Sequence, residues 1–188
     1  MFAPTAKSCA SASAPRGLRS LDEQLLRLAR TRGHSVGRER AVAGFSRLGE
    51  HGGVWLATGA FGQALDAPRR AAWRRATAAV AGAYVLNLLI KLLVRRPRPR
   101  LPGLAPLTAT PTQLSFPSAH ASTSFAGALC YSRLGLPRAP LYALATTLSL
   151  SRVYLGLHYP SDTLAGAILG TAVARGSCGS EQRGTRSP

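Results

Sequence analysis

Acidic residues are scarce in this chain of 188 residues, which has 7 Asp plus Glu against 24 Lys plus Arg and a formal net charge of +17. Between Asp66 and Glu181 the sequence contains a single carboxylate, Asp162. The carboxylate clusters that hold hard divalent cations are therefore missing from this region. The sequence predicts a site that uses no metal ion and no other cofactor.

Lysine, histidine and aromatic residues are also rare. Lys7 and Lys91 are the only lysines, there are four histidines, and aromatic residues make up 6% of the chain. A lysine at position 91 in so arginine-biased a chain indicates a need for a compact cation. The low aromatic content and the lack of a groove-reading motif do not favour nucleic acid as a partner, despite a pI near 11.6. Many arginines flank apolar segments instead, which is typical of a membrane protein that meets anionic lipid headgroups.

The three cysteines, Cys9, Cys130 and Cys178, are odd in number and widely spaced. They form no metal-ligand pair, and their spacing predicts no disulfide framework. Cys130 is expected as a small buried residue of an apolar helix, and the other two in polar tails. Residues 1 to 20 contain no apolar stretch typical of a secretory signal, so membrane targeting is expected from internal segments.

Three separated stretches collect the rare residue types: KLLVRRPRP (Lys91 to Pro99), PSAH (Pro117 to His120) and SRVYLGLHYPSD (Ser151 to Asp162). They supply three cations, two imidazoles and one carboxylate, namely Lys91, Arg98, Arg152, His120, His158 and Asp162. Cleavage of a phosphate ester needs charge neutralisation, a nucleophile and a proton for the leaving group. The three stretches together contain groups for all of these roles.

In this order and spacing the stretches resemble the signature of the type 2 phosphatidic acid phosphatase family, which is related to the vanadium haloperoxidases. The family pattern is Lys, six residues, Arg-Pro; then Pro-Ser-Gly-His; then Ser-Arg, five residues, His, three residues, Asp. The chain departs from it at Ala119, where the family has Gly. If the backbone there needs a positive φ angle or a close approach by phosphate, alanine would carry a cost.

The resemblance implies an activity and a set of roles. The activity is metal-independent hydrolysis of a lipid phosphate or polyprenyl (pyro)phosphate through a phosphohistidine. His158 would be the nucleophile, Asp162 would orient it, and His120 would be the general acid. Lys91, Arg98 and Arg152, with Ser118 and the backbone N–H of Ala119, would hold the phosphate. Small actinobacterial members of the family include enzymes that act on decaprenylphosphoryl phosphoribose, which suits the size and Arg- and Ala-rich composition of this chain.

The expected fold class is all-α, a membrane bundle of about five helices plus an N-terminal amphipathic helix. Residues 1–49 are expected to form a basic arm, disordered over residues 1–20, with the amphipathic helix at about 20–30. That helix lies either on the membrane surface or against the main domain. Residues 50–175 form the membrane domain, and residues 176–188 a polar tail. The predicted helices are Gly53–Leu65, Ala76–Val94 and three others at about 118–133, 139–155 and 161–175, of which Ala76–Val94 is the best candidate to span the membrane.

Membrane sidedness can be predicted from parity and charge. If each later helix crosses once, the loop after Lys91 and the loop of His158 share one face. Seven arginines then lie at the opposite face, which the positive-inside rule makes cytoplasmic, so the catalytic loops are expected outside. The sequence indicates no oligomeric state.

Two other functions stay open at this stage. A vanadate-dependent haloperoxidase would use the same oxyanion site, and a basic, non-enzymatic protein could bind membranes or nucleic acid. His34 and His51 lack partners of the catalytic type and receive no catalytic role. Trp55 and Trp73 resemble anchors at the membrane interface.

Overall fold

The computed structural model describes residues 16–110 and 112–179 of the chain, and within them the protein is all-α, without a β-strand. Its helices are α1 (Arg16–Thr31), α2 (Val36–Arg47), α3 (Gly53–Leu65), α4 (Arg70–Val94), α5 (Ala119–Arg133), α6 (Arg138–Tyr154) and α7 (Pro160–Cys178). Short 3₁₀ turns at Glu50–Gly52 and Ala67–Arg69 precede α3 and α4.

The five predicted bundle helices are confirmed as α3 to α7, although α4 begins at Arg70 rather than Ala76. The N-terminal region departs further from the prediction. Helix α1 begins at Arg16, inside the stretch predicted to be disordered, and α2 was not predicted. Asp22, Leu26 and Arg30 of α1 are buried at intervals of four residues, so tertiary packing of one helix face stabilises α1. The predictions for residues 1–15 and 180–188 lie outside the described residues.

Helix α5 lies at the centre of the bundle and packs mainly on α4, α6 and α7. It is almost wholly buried and rich in Ala, Ser and Gly, which lets its neighbours approach closely. A Cβ on Gly166 of α7 would lie 2.4 Å from the carbonyl oxygen of Ser118, and one on Gly170 would lie 2.0 Å from that of Ser122. Gly166 and Gly170 therefore allow the close packing of α7 on α5.

The core contains an aromatic cluster of Trp55, Trp73 and Tyr131. Both tryptophans, predicted as interface anchors, are buried, with exposed fractions of 1% and 5%. The reason is that glycines on neighbouring helices leave room for the indole rings. A Cβ on Gly62 would lie 2.2 Å from the Trp73 ring, and one on Gly127 would lie 2.4 Å from the Trp55 ring.

The helices run so that one end of the bundle, here called the site face, carries the predicted motifs. Helices α4 and α6 end there, near Lys91 and Arg152, and α5 and α7 begin there, near His120 and Asp162. The opposite end, here called the distal face, contains the α3–α4 and α5–α6 turns, joined by a 3.0 Å hydrogen bond from Arg69 Nη1 to the Leu134 carbonyl. The parity prediction, which places the catalytic loops together, is thus confirmed.

A disulfide joins Cys130 and Cys178 at the distal face, although the cysteine spacing predicted no disulfide framework. Helices α5 and α7 run in the same direction from the site face, and their C-terminal portions meet at the distal face. The two cysteines are 48 residues apart in sequence. Only the packing of α5 on α7 brings them together, so their spacing could not reveal the pair.

Within the described residues, the only helical segment long and apolar enough to cross a membrane is Ala67–Val94, which contains the predicted candidate. Helix α3 has 13 residues and a length of about 20 Å, against about 30 Å for the hydrocarbon core of a bilayer. Large apolar side chains are nevertheless exposed along the bundle, among them Phe61, Leu65, Leu93, Leu150 and Leu164.

The close approach of α7 to α5 predicts a stability difference between two glycines of α7. Gly170→Ala places a Cβ against backbone atoms of Ser122, which side-chain rotation cannot relieve, so we expect a loss of about 1–3 kcal/mol. Gly176→Ala is the matched control, because nothing lies within 4 Å of its Cβ. Thermal unfolding in detergent should show a lower midpoint for Gly170→Ala alone. Equal midpoints for the two variants would contradict the packing described.

Candidate active site

A pocket of about 140 Å³ opens at the site face and brings together six of the eight predicted site residues. The full lining consists of Glu50, His51, Tyr84, Leu88, Lys91, Arg98, Ala109, Thr112, Ala119, His120, Arg152 and His158. The other two predicted residues, Ser118 and Asp162, are fully buried and do not line the pocket. The three predicted cations and the two predicted imidazoles thus converge on one cavity.

Lys91 reaches the pocket from the last turn of α4. Its Nζ donates to the carbonyl oxygens of Leu114 and Pro117, both at 3.1 Å. One helical turn earlier, Asn87 Nδ2 also donates to the Pro117 carbonyl, at 3.2 Å. An ammonium group has three N–H donors, so one remains for a ligand in the pocket. Lys91 therefore both anchors the PSAH loop to α4 and supplies a positive charge.

Arg98 lies in the loop after α4 and connects it to two other segments. Its Nε donates to the Thr112 carbonyl and its Nη1 to the Leu157 carbonyl, each at 2.7 Å. The same Nη1 lies 3.4 Å from His158 Nε2. The guanidinium group is therefore fixed beside the imidazole nitrogen that faces the pocket.

His158 lies in the loop before α7, with its two ring nitrogens in different surroundings. Nε2 faces Arg98, whereas Nδ1 lies 3.7 Å from Asp162 Oδ2, longer than a hydrogen bond, and has no hydrogen-bond partner. Burial lowers the pKa of His158 to about 4, an effect that the carboxylate of Asp162 partly offsets. The imidazole is therefore neutral at pH 7, with its Nδ1 directed toward a carboxylate.

Asp162 is held from two sides, and one of these contacts involves a residue that the sequence did not single out. The backbone N–H of Tyr159 donates to its Oδ2 at 2.9 Å, and Arg96 Nη1 donates to its Oδ1 at 2.7 Å. The side chain of Arg96 binds two carboxylates, and its guanidinium lies 4.2 Å from the Tyr159 ring centroid.

The second carboxylate bound by Arg96 belongs to α1. Arg96 Nη2 donates to Asp22 Oδ2 at 2.8 Å, and Asp22 Oδ1 accepts from the backbone N–H of Ser161 at 3.0 Å. Asp22 is 3% exposed, whereas the neighbouring Glu23 is exposed. Local sequence does not distinguish these two acids, because only the packing of α1 against α7 selects Asp22. The N-terminal helix is thus connected to Asp162 through one arginine.

Ser46, at the end of α2, contacts two predicted site residues. Its carbonyl oxygen accepts from His120 Nε2 at 3.0 Å, and its Oγ accepts from Arg152 Nη1, also at 3.0 Å. Because a carbonyl can only accept, His120 carries a hydrogen on Nε2. The predicted boundary at residue 49 does not separate the arm from the site, since Asp22 and Ser46 both contact it.

Ser118 and Ala119 stand at the start of α5. The backbone N–H of Ser118 donates to the Asp162 carbonyl at 2.9 Å, and its buried Oγ has no hydrogen-bond partner. Among the described residues other than glycine, only His51 and Arg95 have a positive φ angle. The conformational cost considered for alanine at position 119 therefore does not arise.

His51, which received no catalytic role in the sequence analysis, also lines the pocket. Its φ is +51°, and its Nδ1 lies 2.7 Å from the Tyr84 hydroxyl. By contrast, His34 stacks on Tyr154 at a centroid distance of 4.1 Å and contacts Glu39, away from the pocket. Over residues 16–110 and 112–179, no group of three or more His, Cys, Asp or Glu side chains is placed to hold a metal ion.

Comparison with known proteins shows which family this chain resembles in sequence and in fold. The model of the PAP2 superfamily matches residues 72–184. Decaprenylphosphoryl-5-phosphoribose phosphatase of Mycobacterium tuberculosis is 44% identical over 131 residues, which cover 69% of this chain and 73% of the relative. The protein of the same name from Mycolicibacterium smegmatis is 40% identical over 122 residues, which cover 64% and 67%.

Among solved structures, the transmembrane PAP2-type phosphatidylglycerolphosphate phosphatase from Bacillus subtilis superposes with a TM-score of 0.77 at 21% identity. The match covers 93% of this chain and 90% of that chain. Fold, motifs and relatives together define a membrane phosphatase. The chain belongs to the PAP2 superfamily, as its three motifs predicted.

The link between α1 and Asp162 predicts an effect on catalysis from outside the pocket. Asp22→Asn removes the charge that holds Arg96, so we expect a fall in kcat of roughly tenfold from misplacement of Asp162, with KM little changed. Glu23→Gln, which alters the exposed neighbouring acid, is the matched control. Steady-state phosphate release measures both variants. An Asp22→Asn protein with wild-type kcat would show that Arg96 positions Asp162 without help from α1.

Proposed function

We propose that the protein hydrolyses a phosphate monoester of a membrane lipid through a phosphohistidine at Nε2 of His158. The observation that carries this proposal is the placement of a neutral imidazole between Arg98 on the pocket side and Asp162 on the other. A neutral imidazole attacks phosphorus through one nitrogen while the other keeps its proton. A carboxylate beside Nδ1 favours the tautomer that leaves Nε2 free to attack.

In the first step, the Nε2 lone pair forms a bond to phosphorus as the bond between phosphorus and the lipid oxygen breaks. His120 donates a proton to the departing oxygen. Its Nε2 is hydrogen-bonded to the Ser46 carbonyl, so Nδ1 is the nitrogen left to deliver that proton. The negative charge of a bound phosphate favours the protonated imidazole required for this step.

In the second step, water attacks the phosphorus of the phosphohistidine, and His120, now neutral, accepts a proton from that water. The bond between phosphorus and Nε2 breaks, phosphate leaves, and His158 returns to its neutral form. Each histidine thus ends the cycle as it began. The 3.7 Å separation of Nδ1 and Oδ2 is expected to shorten when the phosphate is bound, because catalytic hydrogen bonds are often long in unliganded enzymes.

Charge neutralisation in this mechanism comes from Lys91, Arg98 and Arg152, which all line the pocket. Arginine offers planar two-point contacts to phosphate oxygens, and lysine offers a compact charge. The orphaned Oγ of Ser118 and the start of α5 at Ala119 would supply further hydrogen bonds. These groups support a reaction that does not depend on a divalent metal ion.

The substrate class follows from the relatives and from the surroundings of the pocket. Two relatives carry the name decaprenylphosphoryl-5-phosphoribose phosphatase. We therefore propose a polyprenyl-linked sugar phosphate as the substrate for this chain. Three polar residues of the pocket, Glu50, His51 and Tyr84, have no proposed role in phosphate binding. Their side chains are available to form hydrogen bonds with sugar hydroxyls. The proposed membrane arrangement is multi-pass.

Loss of the nucleophile gives the direct test of this mechanism. His158→Ala should lower phosphate release from a polyprenyl phosphoribose or phosphatidic acid by roughly 10³-fold or more, in excess chelator. His34→Ala, which removes a histidine outside the pocket, should retain most of the activity. Alkaline quenching, which preserves the acid-labile phosphohistidine, should trap labelled phosphate on the wild type but not on His158→Ala. Full activity of His158→Ala would exclude the mechanism.

The burial of His158 predicts the acid side of the pH profile. Its imidazole is active when neutral, and burial lowers its pKa to about 4 from an ordinary value of about 6.5. We therefore expect no loss of kcat/KM from protonation of His158 between pH 7 and 5, and an acid limb from this group only near pH 4, after correction for the second ionisation of the substrate phosphate, at about pH 6. An acid limb at about 6.5 that survives this correction would contradict the assignment.

A further inference from the structure

We infer that Glu50, His51 and Tyr84 form a subsite for the leaving group of the reaction, and that Glu50 selects leaving groups with free hydroxyls. The ligand class is a sugar with vicinal hydroxyl groups, and diacylglycerol is disfavoured. This inference deepens the proposed function and rests on it. It assigns the choice between lipid phosphates to one carboxylate at the pocket.

The side of the pocket on which the leaving group lies follows from the roles of the two histidines. In a displacement at phosphorus, the nucleophile and the departing oxygen lie roughly in line, on opposite sides of the phosphorus. His158 attacks from the side of Arg98, which lies 3.4 Å from its Nε2. The departing oxygen must reach His120, its proton donor. The leaving group is therefore expected on the His120 side of the pocket.

The turn between α2 and α3 borders His120 directly. A Cβ on Gly49 would lie 2.7 Å from Cδ2 of the His120 ring, so the backbone of this turn packs against the proton donor. At the other end of the turn, a Cβ on Gly52 would lie 3.2 Å from Thr123, which is on the same side of α5 as His120. Glu50 and His51, between these glycines, both line the pocket. The turn thus forms the wall beside the departing oxygen.

His51 is held in a conformation that residues other than glycine rarely adopt. Its φ is +51°, its Nδ1 lies 2.7 Å from the Tyr84 hydroxyl, and the two rings meet edge to face with centroids 5.7 Å apart. Such a conformation costs energy and is often found at ligand-binding and active sites. Within the described part of the chain, Nε2 of His51 has no hydrogen-bond partner, so this nitrogen is available to a ligand.

Glu50 is the unusual member of the subsite, because it places a negative charge at a pocket for phosphate. The chain has only seven acidic residues, and Asp22, Asp66 and Asp162 each bind an arginine. Glu50 forms no ion pair of this kind in the part of the chain that the structure describes. A carboxylate near a phosphate dianion opposes binding unless the ligand also brings hydrogen-bond donors to it. Two vicinal hydroxyls bring such donors, one for each carboxylate oxygen.

The same reasoning explains why diacylglycerol fits poorly. A site that binds substrate hydroxyls discriminates against analogues without them, because its polar groups are then left without partners. Diacylglycerol, the leaving group of phosphatidic acid, carries ester groups and no hydroxyl. Phosphatidic acid therefore leaves the Glu50 carboxylate unpaired beside the phosphate, whereas a sugar provides it with hydrogen bonds.

A variant that keeps the shape of Glu50 and removes its charge tests the inference. Three substrates are compared at equal surface concentration in detergent micelles: polyprenyl phosphoribose, its 2,3-dideoxy analogue and phosphatidic acid. Wild-type kcat/KM should be roughly 10²-fold higher for polyprenyl phosphoribose than for the dideoxy analogue. Glu50→Gln should lower kcat/KM for polyprenyl phosphoribose by about tenfold, through loss of charged hydrogen bonds. It should raise kcat/KM for phosphatidic acid by about two- to threefold, because a repulsive charge is removed.

Opposite shifts on two substrates cannot come from a merely structural role of Glu50. Glu23→Gln, which alters an exposed acid outside the pocket, is the control and should match the wild type on all three substrates. Equal wild-type activity on polyprenyl phosphoribose and its dideoxy analogue would overturn the inference and leave the proposed hydrolysis intact. Parallel changes on both natural lipids in Glu50→Gln would do the same. A wild type that releases phosphate from none of the substrates would instead contradict the proposed function, and the inference with it.

Discussion

The structure depends on one buried carboxylate, that of Asp162. The carboxylate accepts hydrogen bonds from the backbone N–H of Tyr159 and from Arg96, and it lies behind His158. The backbone carbonyl oxygen of Asp162 accepts a hydrogen bond from the Ser118 N–H. These contacts connect the start of α7 to the loops after α4 and before α5. A buried charge is costly unless it is paired and hydrogen-bonded, so Asp162 requires these partners to keep their positions.

The N-terminal arm completes this arrangement. Asp22 holds Arg96 from one side, and Ser46 holds His120 and Arg152 from another. The family match begins at residue 72, yet these arm residues contact the groups with which the site would work. Because α1 also carries exposed leucines beside apolar residues of α6 and α7, the arm connects an apolar outer surface of the bundle with the interior of the site.

The close packing of small residues explains how so short a bundle brings its motifs together. Gly166 and Gly170 let α7 lie directly on the backbone of α5, which brings Asp162 against Ser118 at one end and Cys178 to Cys130 at the other. The same packing therefore determines both the geometry of the phosphate site and the covalent link at the distal face.

The sequence alone determined the family, the helices of the bundle and six of the residues that line the pocket, because these depend on local periodicity and on motif spacing. Lys91, Arg98, His120, Arg152 and His158 all line the cavity as expected. The partners Asp22, Ser46 and Arg96, the disulfide and the burial of the two tryptophans were decided by tertiary structure. Each of these depends on which helix faces meet across long sequence separations. Asp22 and Glu23 are alike until α1 packs on α7, and only that contact buries one and leaves the other in solvent.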